Sequence, residues 1–153
     1  MGVSTGGQIC YGIAFEEDFE FPWNDYDDID EWWICGVHKF KPSFEIYDEN
    51  GGYIDGKRPA DADISKYYGE KREFAQNHPM PVELVMHCSY DYPMYILAVQ
   101  GSRLRNSRGY PVGFSPDNLV VSDESKAALL KFCADFGIEC EGEPKWLLTS
   151  MWG

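Results

Sequence analysis

Along residues 8–15, apolar Ile9, Tyr11, Ile13 and Phe15 alternate with Gln8, Cys10, Gly12 and Ala14, which predicts a strand whose second face carries small side chains. The following residues 16–31 hold Phe-Pro at 21–22 and Asn-Asp at 24–25, so a loop is expected, closing in a short helical turn through 29–33. Residues 44–47 and 53–54 flank Asp48-Glu49-Asn50-Gly51-Gly52, and Asn-Gly tolerates the positive φ angles of a tight hairpin turn, which predicts two more strands. Beyond Pro59, Asp61 or Asp63 is positioned to cap a helix whose Ile64, Tyr67, Tyr68, Phe74 and Ala75 fall on one face. That helix must end before His78-Pro79.

The apolar runs 82–88 and 94–99, separated by Ser89-Tyr90-Asp91-Tyr92-Pro93, predict an antiparallel hairpin, and 118–121 a further short strand. Ser122 is then a helix cap, with Asp123 and Glu124 at the positive end of the dipole. Leu129, Phe132, Cys133 and Phe136 form the buried stripe of that helix, and Gly137 stops it. Residues 145–152 read as a final strand or an extended tail held by Trp146 and Trp152. The expected architecture is a single α+β domain over 1–153, a mostly antiparallel sheet with two helices.

Composition supports a folded chain: 44% of the 153 residues are hydrophobic and 16% aromatic, far from the make-up of acidic disordered proteins. Charge narrows the function more sharply. With 26 acids against 13 bases the formal charge is −13, which argues against binding to phosphate backbones or anionic lipid, both of which need Lys and Arg. The charge is also uneven. Residues 1–38 carry nine acids and no Lys or Arg, while the other 115 residues hold 17 acids and 13 bases, a net of −4.

Five cysteines, an odd number without a C-x-x-C pair, and a start lacking a basic, long-apolar leader lead to the expectation of a reduced, cytoplasmic protein. Gly2 is not followed by Ser or Thr at position 6, so a myristoylation signal is poor, and no apolar run is long enough to cross a bilayer.

The acidic segment offers the first candidate site: Glu16, Glu17, Asp18, Glu20, Asp25, Asp27, Asp28, Asp30 and Glu31, interleaved with Trp23 and Tyr26 as anchoring aromatics for a partner protein. A calcium loop counted from Asp25 fails, since Ile29 falls at the fifth position and Asp30 where Gly is required. The bland reading is a solvated acidic loop, with the aromatics in the core. His87-Cys88 is a poor nucleophile pair, because neighbours in a strand point to opposite faces, and Cys88 on the face of Leu84 and Met86 reads as a buried inert thiol.

The cysteines and histidines lack zinc spacing, and no phosphate-binding loop, dinucleotide turn, nucleophile elbow or metalloprotease helix occurs. Neither an enzyme nor a cofactor is therefore expected. Arg103, Arg105 and Arg108 stand in an acid-free segment, residues 92–116, whose stretch from Gly101-Ser102 to Gly109-Tyr110-Pro111 reads as a mobile exposed loop suited to a phosphate or an acidic partner.

The segments GQICYGIAFEEDFEFPW, HCSYDYPMYILAV and EGEPKWLLTSMWG resemble small accessory proteins of tailed bacteriophages. The resemblance implies a context in which small acidic proteins inhibit host defence, as anti-CRISPR and anti-restriction proteins that mimic nucleic acid do. The leading expectation is thus a non-enzymatic inhibitor, acting in the host cytoplasm, that presents its acidic segment to the basic groove of a nucleic-acid-binding host protein. Two alternatives stand beside it: a small-ligand binder or hydrolase using residues 103–108, and a phage structural or assembly component.

Overall fold

The computed structural model describes residues 5–152 and is of the α+β class. The chain forms two compact units, one holding the residues up to Asn24 and from Met80 onward, the other Asp25–Pro79, inserted between the first and second strands.

In the first unit the alternating segment becomes β1, Thr5–Ala14. The apolar hairpin becomes β2, Val82–Ser89, and β3, Pro93–Val99, in register from Val82↔Val99 to Cys88↔Pro93. The stretch between Gly101 and Pro111, which its composition predicts to be loop throughout, is not: Leu104–Ser107 forms β4, antiparallel to β1 from Gly6↔Ser107 to Ile9↔Leu104. Residues 145–152 settle as a strand, β5, Lys145–Trp152, which pairs with β1 at eight positions from Thr5↔Trp152 to Gly12↔Lys145.

The sheet runs β3-β2-β5-β1-β4, and the end of β1 also pairs with β3 through Gly12↔Ala98, so the ladder returns on itself. Where β2 meets β5 the pairing is parallel and involves only Cys88↔Met151 and Ser89↔Trp152. Inside the closed part lie Cys10, Val85, Ile96 and Ala98, all fully buried, with Leu147 packed against them. Gly12 lets β1 and β3 approach this closely, since a Cβ there would fall 2.8 Å from Ala98 Cα and onto the Leu97 carbonyl. A helix spanning Asp123–Asp135, here α3, is capped by Ser122, whose side chain accepts from Ser125 N–H, and buries Leu129, Phe132 and Cys133. Gly137, at φ 65°, turns the chain out of it.

Residues 118–121 do not form a strand. Pro116 and the reciprocal capping of Ser115 and Asn118 fold Pro116–Leu119 into a short 3-10 turn.

The second unit opens with α1, a single turn at Ile29–Glu31 that widens into a π-helical turn, Trp32–Val37. Its long helix, α2, spans Asp61–Asn77. Neither Asp61 nor Asp63 caps α2; the capping position is Ala60, and the two carboxylates occupy the first turn, where they suit the dipole. Phe40 packs on Phe74 with ring centroids 5.2 Å apart, and Tyr47 on Tyr67 at 5.7 Å. The expected hairpin shrinks to one bridge, Tyr47↔Tyr53. Asp48 Oδ1 accepts from the backbone N–H of both Asn50 and Gly52, wrapping the turn around its carboxylate, and Ile54–Gly56 then curls into a 3-10 turn before a ladder can extend. Among the described residues no helix is long and apolar enough to cross a membrane.

Candidate functional site

In the first unit the residues after β1 keep their aromatic rings inward and their carboxylates outward. Phe15, Phe19 and Phe21 make a mutual cluster with centroids 4.5–5.1 Å apart, and Phe21 stacks on Trp23 at 4.6 Å. Trp23 is only 5% exposed, so it belongs to the core and is not the partner-facing anchor expected of it. Glu16, Glu17, Asp18 and Glu20, between and beside these rings, are exposed.

The turn Glu16–Phe19, closed by Phe19 N–H donating to the Glu16 carbonyl at 3.2 Å, brings three of these carboxylates to one cleft. That cleft, about 470 Å³, is lined by Glu16, Asp18 and Glu20 from one segment and by Glu139 and Glu141 from the loop after α3, over a floor that includes Phe19. No basic residue lines it. Glu139 and Glu141 are the functional candidates that reading the chain in order misses. Their signal is the base-free run Glu139-Cys140-Glu141-Gly142-Glu143, more than a hundred residues from its partners.

The rest of the acidic segment lies in the second unit and divides between structure and surface. Asp28 caps α1, accepting from Glu31 N–H at 2.7 Å. Glu31 is half-buried, paired with Lys71 and accepting from the Cys35 thiol at 3.1 Å. Burial alone would raise its carboxyl pKa, but the bonds from Lys71 and Cys35 outweigh that and hold it below the ordinary value. The Cys35 thiol is pushed up to about 11 by burial and by the Glu31 carboxylate. Asp28 and Glu31 therefore spend their charge within the unit.

Asp25, Asp27 and Asp30 remain exposed, with Asp30 raised by burial and by the neighbouring Asp28 charge. Tyr26 is 38% exposed, its ring lying against Gly36.

The three arginines do not act together. Arg103 pairs with Glu83 at 2.7 Å. Arg105, exposed on β4, lines a cavity of about 260 Å³ that Arg103 also borders. Arg108 is not among that cavity's lining residues, and its backbone N–H donates to the Thr5 carbonyl at 2.9 Å.

His87 and Cys88 border a different hollow. Burial lowers the His87 pKa, and its Nε2 has no hydrogen-bond partner among the described residues. Cys88 is not the buried thiol that alternation predicts: its φ of 73° breaks the period of β2 and leaves it exposed. Among the described residues no group of three or more His, Cys, Asp or Glu is disposed to hold a metal ion. The chain matches no protein-family model, no curated protein and no solved structure.

Proposed function

We propose that this protein is a non-enzymatic inhibitor that binds a host protein through carboxylates, occupying a basic groove that otherwise holds nucleic acid. The observation that carries this reading is the cleft lined by Glu16, Asp18, Glu20, Glu139 and Glu141 without a base among them. Carboxylates gathered from two distant segments substitute for phosphates as counter-charges to Lys and Arg, and a concave low-dielectric wall focuses their field and speeds association. Phe19 in the cleft floor supplies an apolar contact beside the charges. The exposed Asp25, Asp27 and Asp30 add long-range attraction, so binding weakens as salt rises.

Affinity capture from host lysate tests the reading, with three proteins used as bait. One is the native chain, one carries Glu16→Gln, Asp18→Asn, Glu20→Gln, Glu139→Gln and Glu141→Gln, and one carries Asp25→Asn, Asp27→Asn and Asp30→Asn. The expected result is a nucleic-acid-binding partner recovered by the native chain and by the third bait, weakly by the third, and lost with the second. Equal recovery by all three rejects the cleft as the interface, and a partner that still binds its nucleic acid when saturated with the protein rejects the inhibition.

A further inference from the structure

The cavity beside β4 has a chemistry opposite to that of the acidic cleft. β4 can approach β1 because positions 6 and 7 are glycines: a Cβ on Gly6 would stand 2.8 Å from the Asn106 carbonyl oxygen, and one on Gly7 2.9 Å from Asn106 Oδ1. Gly7 N–H instead donates to that Oδ1 at 3.0 Å, which ties the Asn106 side chain back onto β1. Gln8 and Arg105 are direct cross-strand partners, so their side chains rise on the same face. Gln8 is 7% exposed and fixed by Nε2 donating to the Met86 carbonyl at 2.7 Å. Of the two guanidinium groups at the cavity, Arg103 is neutralised by Glu83, whereas Arg105 has no carboxylate partner among the described residues. Leu84, Met86 and Met151 supply an apolar wall to the same cavity.

The geometry points to a binding site for a small organic anion: a carboxylate or phosphate ester whose oxygens are held by Arg105 and whose ring-sized apolar body lies against Met86 and Met151. A planar guanidinium with unspent donors matches either oxyanion in bidentate fashion. Thioether side chains make favourable edge contacts with an aromatic ring. A volume of about 260 Å³ accommodates one ring with its acidic group.

Amide-resolved NMR titration of the full chain with three probes, benzoate, phenyl phosphate and neutral benzyl alcohol, tests this. The amide signals of Gly6, Gly7 and Asn106 should move saturably with benzoate or phenyl phosphate, whichever oxyanion the site prefers, and not with benzyl alcohol. Arg105→Gln, a change at an exposed side chain, should weaken that binding about tenfold. Absence of saturable shifts with both anions up to about 10 mM, equal binding of benzyl alcohol, or unchanged affinity in Arg105→Gln would each overturn the proposal.

Discussion

The imidazoles of His38 and His78 lie with their ring centroids 4.5 Å apart in the second unit. His38 is flanked edge-on by Trp33 at 4.6 Å, and its Nε2 is shielded from water with no hydrogen-bond partner among the described residues. His78 is fixed on the other side: its ring stacks on Phe74, its Nδ1 bonds with the Phe74 carbonyl, and its own carbonyl accepts from the Trp33 indole at 2.8 Å.

A proton added to His38 would place a charge where water is excluded and a second imidazole is adjacent, so burial and His78 both hold its pKa below the ordinary value. The unfolded chain then binds that proton more readily than the folded one, and stability falls as pH drops from about 6.5 toward the folded value. Glu31 titrates in a separate window, below its ordinary 4.5. Thermal melts between pH 7.5 and 5 should show a falling Tm that His38→Phe makes shallower, with the half-buried His87 contributing the remainder in the same window; an identical pH profile in that variant would remove His38 as a cause.

Gly12 sits where β1 leaves β5 and meets β3, and an added methyl would press on Leu97, Ala98 and Ile96 together. Two of those contacts are backbone and do not rotate away. Gly12→Ala is therefore expected to cost about 3 kcal/mol, measured by denaturant unfolding, whereas Gly113→Ala, with open space around its Cβ, should leave the midpoint nearly unchanged. Equal stability of the two variants would show that the β1–β3 approach is looser than described.

The cysteines should separate cleanly by reactivity. Cys10 is fully buried and its thiol pushed up to about 11, Cys35 likewise to about 11, and Cys133 to about 12, chiefly by burial. Cys88 is exposed. Because the thiolate is the reacting species, brief alkylation of the native protein followed by peptide mass spectrometry should find Cys88 labelled first and Cys10 and Cys133 protected until denaturant is added. Early labelling of Cys10 would mean that the closed part of the sheet opens readily.

Elements defined by neighbours in the chain were legible from the residues themselves. The alternation of Ile9, Tyr11 and Ile13, the hairpin over 82–99, and the cap and stop at Ser122 and Gly137 all carry their cause within a few positions. What depended on distant residues was not. Arg105 reads as loop because nothing near it reveals that Gly6 and Gly7 offer a bare backbone for β4 to pair with. Trp23 looks like an exposed anchor among acids until Phe21 and Phe15 are seen to gather it inward. Glu139 and Glu141 join Glu16 only through the fold, since a cleft is a property of surfaces and not of spacing.

The pairing of β1 with β5 over eight positions sets an order of events during synthesis. β1 is made well before its longest partner, Lys145–Trp152, and the whole of Asp25–Pro79 is translated in between. A nascent chain thus carries the β5-facing edge of Thr5–Ala14 unpaired until Lys145–Trp152 has been made, a window in which a chaperone has something to hold and a slow, long-range closure has yet to occur.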